Sequence, residues 1–352
     1  MFKTKWFFLA YIIIIITITV IFYGCSTEKS SKDKNIGTSD TPAVSTSLPG
    51  NTDENIIEKY PAALLKFIGE SLNKDYRSLT PDDFRRVDSL DFNIKKFIEH
   101  GDNPDLVYDF TILTHLPNLN NVTIENIKIK DYSVLNKCPL TFISFCNLTD
   151  NDTAKFRGWR GASNIGISKS SISNLNFLED CQVLSSLSIV DMPDFPLVDV
   201  LNSDFFLKKA SLQALCLENM SITGEDIASI HQLKWINRLL LLDNKIENII
   251  DFPDAPSLET LELLYNPIKS INIPVDKVPK LKMLDLQCTD IEDLNQIKGL
   301  DNMEWICLLN TKVKSVAPLK RFKKLKRIIV DSRNINDIDE FKGTGVFFSS
   351  CD

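Results

Sequence analysis

Glu262 and Asp285 are the carboxylates whose placement invites a chemical reading, since they hold equivalent positions in two similar stretches, Leu261-Glu262-Leu263 and Leu284-Asp285-Leu286. Two carboxylates on adjacent strands can divide acid and base work, as in glycoside hydrolysis. No aromatic subsite or nucleophile motif flanks them, so the expectation is a pair of solvated charges and no enzyme. A divalent cation would need an oxygen cage that the pair alone does not supply. His100, His115 and His231 share no motif with a cysteine, which favours structural or surface roles over metal ligation. His231 precedes an apolar, helix-like segment containing Trp235. With 12 glycines and 3 histidines in 352 residues, little is left for a glycine-rich phosphate loop or a histidine metal site, and no cofactor is expected. Forty basic against 47 acidic residues give a net charge of −7, which argues against nucleic acid as a partner. The 43% hydrophobic content is ample for a packed core.

At the amino terminus Lys3 and Lys5 precede an uncharged apolar run from Trp6 to Tyr23, the layout of an export signal. Phe22-Tyr23-Gly24-Cys25 follows, and it resembles the lipobox of bacterial lipoproteins. The resemblance implies a lipid on the Cys25 thiol, removal of residues 1–24, and a place on the extracytoplasmic face of the cell membrane. The alternative is an uncleaved single-pass anchor, because 18 helical residues reach about 27 Å against a hydrocarbon thickness of ~30 Å. Residues 25–54 are rich in Ser, Thr, Asp and Lys and predict a disordered tether with an average reach near ~30 Å.

The elements that would position Glu262 and Asp285 emerge from an internal repeat. An apolar residue followed three and five positions later by two more recurs ten times, from Leu119-Val122-Ile124 to Leu325-Ile328-Val330. The middle members are Val122, Ile143, Ile165, Leu187, Leu215, Leu239, Leu261, Leu284, Ile306 and Ile328, spaced 21, 22, 22, 28, 24, 22, 23, 22 and 22 residues apart. Such a period marks a solenoid in which no repeat buries its own apolar face. The segment Leu258 to Ile268 resembles the leucine-rich repeat family, and the 22-residue period is similar to its internalin-type subclass. The resemblance implies an α/β solenoid, a horseshoe with one parallel concave sheet, about ten to eleven repeats over 84–342, and protein ligands bound on the concave face. The turn position is Asn at Asn244 and Asn266, Thr at Thr289 and Thr311, and apolar in the earlier coils, which predicts less regular coils there.

Ala62 to Leu72 has helical spacing and Thr80-Pro81-Asp82-Asp83 reads as a helix start, so residues 55–83 are the expected helical cap. Insertions are expected around 93–114 and 193–209. Residues 343–352 should close the far end, with Phe347 and Phe348 as the lid. Alternation along each strand places Leu240, Leu242, Leu264, Tyr265, Met283, Trp305, Leu309 and Ile329 on the concave face, an exposed apolar patch and the expected protein-binding site. An extra helix or the carboxyl-terminal tail covering that patch is the competing reading; a structural envelope spacer is the competing function. Eight cysteines less a lipidated Cys25 leave an odd number. Cys146, Cys216, Cys288 and Cys307 fall on concave positions, and Cys216 and Cys307, four strands apart, are separated by about 19 Å, beyond the ~7 Å reach of a disulfide. Unpaired thiols are therefore expected.

Overall fold

The computed structural model describes residues 59–349 apart from 102, 104, 105 and 157. The apolar run, Cys25 and the tether lie outside the described residues. The chain separates into two units, Met1–Glu54 and Asn55–Asp352, and the second carries every element considered below. No helix among the described residues is long and apolar enough to cross a membrane.

Twelve strands form one sheet in strict chain order. They are β1 (Ser89–Asn93), β2 (Asn121–Glu125), β3 (Phe142–Cys146), β4 (Asn164–Ser168), β5 (Ser186–Val190), β6 (Ala214–Glu218), β7 (Arg238–Leu242), β8 (Thr260–Glu262), β9 (Met283–Asp285), β10 (Trp305–Cys307), β11 (Arg327–Ile329) and β12 (Phe347–Ser349). Every neighbouring pair is parallel, and the ten middle apolar residues of the repeat lie side by side without a slip. The fold is a leucine-rich repeat horseshoe. It forms because each Leu-x-Leu stretch turns two side chains off one face of its strand, and only the next coil can cover them. Leu215, Leu261, Leu263, Leu284, Leu286 and Ile306 are wholly buried in this way.

The far side of the core changes along the stack. Early coils cover it with both 3-10 turns, at Phe110–His115, Tyr132–Lys137 and Asn176–Leu178, and short α-helical turns, at Asp150–Thr153, Leu197–Leu201, Asp204–Lys208 and Gly224–Ser229, and later coils use 3-10 turns such as Leu294–Gln296 and Ala317–Arg321. Helix α1 (Ala62–Ser71) packs on β1, where Phe67 meets Phe92 with ring centroids 5.1 Å apart. Helix α2 (Pro81–Phe84) is a single turn held by a capping box, Thr80 N donating to Asp83 Oδ2 at 2.8 Å. The insertion after β1 carries helix α3 (Ile94–Glu99), with Phe97 buried against Phe67 and Tyr108. At the other end β12 adds a strand to the sheet. Phe348 turns inward onto Phe341 at 5.5 Å, whereas Phe347 stays 61% exposed with the Arg327 guanidinium over its ring, so the expected two-residue lid is one residue. The helix-like segment expected around Trp235 is instead a run of turns, because Trp235 Nε1 is tied to the Leu207 carbonyl of the preceding insertion at 3.2 Å.

Asparagine at the turn works as a backbone satisfier. Asn266 is 1% exposed; its Nδ2 donates to the carbonyls of Leu241, Leu263 and Leu264, and its Oδ1 accepts from Ile246 N. Asn244 repeats the arrangement one coil earlier, and Thr289 and Thr311 each give one hydroxyl bond to a carbonyl. Replacing Asn266 by Ala takes this partner from Ile246 N and from the carbonyls of Leu241 and Leu263, while Leu264 O keeps its bond from Asp243 N, so Asn266→Ala should cost at least ~3 kcal/mol and Thr289→Val only about 1 kcal/mol. Urea unfolding midpoints at unchanged slope test the contrast; equal midpoints for the two variants would show that water replaces the amide.

Candidate functional site

Side chains that turn away from the core form three columns across the concave face. The pairing Ser188, Cys216, Leu240, Glu262, Asp285, Cys307 and Ile329 defines the middle one. Arg238, Met283 and Trp305 lie in the column before it, and Val190, Glu218, Leu242, Leu264 and Leu309 in the column after. A fourth row follows where the backbone leaves the strand, at Asn126, Asn147, Lys169, Asp191, Asn219, Asp243, Tyr265, Cys288 and Asn310, all at φ between 49° and 64°. Each of these N–H groups up to Cys288 donates to a carbonyl of the next coil, which continues the sheet ladder past the strand ends.

The eight apolar residues assigned to this face by alternation all lie on it, with Tyr265 in the fourth row. The expectation that they form one exposed patch needs correction. Leu240, Leu242 and Leu264 are 2%, 4% and 6% exposed, Met283, Trp305, Leu309 and Ile329 are half-buried, and only Tyr265, at 56%, stands clear. The cause is spacing. Strands about 4.8 Å apart hold bulky side chains in van der Waals contact across the sheet, so adjacent leucines bury one another even on the face opposite the core. Leu240, Leu242 and Leu264 thus make a second apolar layer, and substitutions there act on stability first.

Glu262 and Asp285 are neighbours as the register required, but their surroundings divide them. Arg238, one column back on β7, bonds Glu262 Oε1 through Nε at 3.2 Å and Nη2 at 2.6 Å, with both side chains less than a fifth exposed. Asp285 has no such cation among the described residues. It accepts from Gln287 N at 2.9 Å, and burial, with Glu262 beside it, pushes its carboxyl up to about 6 from 3.8. Glu218, outside the Glu262 and Asp285 pair, is pushed up to about 7 from 4.5 by burial and by the charges of Asp191 and Asp243. The repeat register was the signal for it: Glu218 sits in the column of Leu242 and Leu264. Burial also pushes the Cys216 thiol up to about 12.

Over the strands and the fourth row, Asp91, Glu125, Asp191, Glu218, Asp243, Glu262 and Asp285 oppose three cations, Lys169, Arg238 and Arg327. Lys169 is 3.8 Å from Asp191, Arg238 holds Glu262, and Arg327 covers Phe347. Glu218, Asp243 and Asp285 form no ion pair among the described residues. No disulfide joins the six described cysteines, and no group of three or more metal-ligating side chains is present among the described residues.

A carboxyl whose proton affinity is raised by folding makes the native state less stable as pH climbs through the interval between its unfolded and folded values. For Glu218 that interval runs from 4.5 to about 7, and for Asp285 from 3.8 to about 6. Discounted for solvent screening, the two should together lower the unfolding free energy by roughly 2 kcal/mol between pH 5 and pH 8. Urea midpoints across this range should fall for the natural chain and stay flat for Glu218→Gln with Asp285→Asn. Parallel slopes would place the titrating groups elsewhere.

No family model and no curated protein matches this chain. Among solved structures it is similar to an internalin (InlF) of Listeria monocytogenes at 18% identity and a TM-score of 0.45, over 84% of this chain and 96% of that one. It is similar to Listeria monocytogenes InlP at 18% identity and 0.44, over 79% and 70%. It is also similar to the protein of a TLR13–ssRNA13 complex at 15% and 0.47, over 78% and 44%. By its own strand register and its period of about 22 residues the chain has the solenoid architecture of a leucine-rich repeat fold.

Proposed function

We propose that this chain is a recognition module which binds another protein on its concave face and works at the outer side of the cell membrane, held by a lipid on Cys25 and spaced by residues 25–54. Helix α1 and its neighbours close the amino-terminal end of the stack and β12 the other, leaving the long sheet face as the surface on offer. No catalytic role is assigned to Glu262, because its carboxylate is committed to Arg238.

The observation that carries the reading is Tyr265. It occupies a left-handed position, φ 57°, that Asn fills in four of the other eight rows, and it keeps 56% of its surface in water. A bulky side chain there costs about 1–2 kcal/mol relative to residues that accept this conformation. An exposed aromatic held at such a cost, on a face that also presents half-buried Trp305 and Leu309 two coils away, is the composition of an interface anchor.

Tyr265→Asn should therefore weaken partner binding tenfold or more while stability holds or rises by up to ~1 kcal/mol, and Trp305→Ala should weaken it by about 30-fold. Photo-crosslinkers placed at 265 and 305 should capture one protein that a crosslinker at the exposed Ile250, off the sheet, does not. Equal capture from all three sites would remove the concave face from the reading.

For the anchor, intact-mass analysis of membrane-derived protein should show a chain that begins at a lipid-bearing Cys25. A mass that retains Lys3 and Lys5 would decide for the uncleaved helix.

A further inference from the structure

The concave face is apolar in its middle and short of positive charge along one side, and the two facts together specify a partner. Leu242 and Leu264 form the floor of the third column, with Glu218 on the strand before them. Tyr265 projects beside this floor; its hydroxyl is acted on first by burial and by the Cys288 thiol that it hydrogen-bonds, and then by the charges of Asp243 and Asp285. All three cations of the face are engaged, whereas Glu218, Asp243 and Asp285 form no ion pair among the described residues. Glu218 and Asp285 are half-buried and Asp243 is exposed beside them; half-buried carboxylates without a counter-charge are costly to keep ionised, and a cation brought to them would lower that cost. The exposed Tyr265 ring offers the same cation a second favourable contact.

We infer that the concave face over β6 to β9 receives a basic segment of the partner protein, extended and apolar between its cations, with one Lys or Arg beside Glu218 and Asp243 and another beside Asp285 and Tyr265. The inference rests on the proposed concave-face binding and adds the chemistry of the bound segment. Glu218 and Asp285 lie three strands and one column apart, about 16 Å. An extended chain covers about 14 Å of this in four residues, and the long stems of Lys or Arg make up the rest, so the two cations belong at the first and fifth positions of the segment.

The carboxyls also make the docking pH-dependent. The charged groups around Glu218 are Asp191 on the β5 side and Asp243 on the β7 side; those around Asp285 are Glu262 on β8, with the Cys307 thiol on β10. With Glu218 pushed up to about 7 and Asp285 to about 6, both are ionised at pH 8 and largely protonated at pH 5. A cation therefore binds more weakly as pH falls.

The test uses residues 55–352, which hold the whole described core, and the peptide acetyl-Lys-Leu-Thr-Leu-Lys-amide beside its Glu-for-Lys counterpart, measured by calorimetry at pH 8 and pH 5. The lysine peptide should bind at pH 8, lose at least tenfold at pH 5, and lose about tenfold at pH 8 on Glu218→Gln; the glutamate peptide should not bind. Asp285→Asn gives a second, independent reading should Glu218→Gln alter the fold. Equal response to the two peptides, no heat from either at 1 mM, or an unchanged affinity in both variants overturns the inference. Crosslinking from 265 and 305 is scored on the native partner and does not depend on the peptide, so concave binding survives or fails separately.

Discussion

A parallel sheet built from one strand per coil sets neighbouring side chains about 4.8 Å apart, and nearly everything else in this protein follows from that spacing. On the inner face it forces a large apolar side chain at two positions of each repeat, Leu, Ile or Val in most and Phe at Phe92 and Phe145, since any gap would run the length of the stack. On the outer face it makes each side chain a neighbour of two others in its own column. A residue's environment there is decided by the strands on either side of it more than by its own type. Leu240 lies between Cys216 and Glu262 in such a column and is as buried as many core residues, although it points the other way.

The same spacing governs charge. Like charges in adjacent rows cannot relax apart, because the backbone ladder fixes them; Asp191, Glu218 and Asp243 are held in successive coils in this way. One cation placed diagonally, Arg238, quiets Glu262 and leaves Asp285 exposed to that carboxylate's field. Removing Arg238 would thus disturb two carboxylates although it bonds only one.

The fold was legible in the sequence because the signal is periodic. Ten repetitions of one pattern placed all ten middle residues in correct register, including across the 28-residue spacing between Leu187 and Leu215. The site was legible only in outline. Alternation tells which face a side chain leaves from, and it put Leu264 and Trp305 on the concave side. Exposure depends on the size of the residues in the flanking coils, so the burial of Leu240, Leu242 and Leu264 needed the columns read across the strands. Glu218 and Arg238 escaped notice for the same reason: each acts through a neighbour about 24 residues away in the chain. Trp235 shows the local limit, since an apolar run of helical spacing gave way to one bond from Trp235 to the Leu207 carbonyl.

Tyr265 joins these strands of argument. In the fourth row the backbone demands a left-handed residue at every coil, and Asn answers at four of the nine positions because its short amide tolerates the conformation. At the same rows the Asn amides bond their neighbours in the row, Asn219 Nδ2 donating to Asp191 Oδ1 at 2.7 Å for example. Tyrosine gives no amide to that chain of bonds and adds steric cost, although its side chain does hydrogen-bond Cys288 in the next coil. What it supplies is an aromatic surface at the rim of the buried leucine layer, above carboxylates that have no cation. The row departs from Asn and Asp at Lys169, Tyr265 and Cys288, and Tyr265 is the bulkiest and the aromatic one of the three; such departures in folded proteins concentrate where a surface is shaped for something outside the chain.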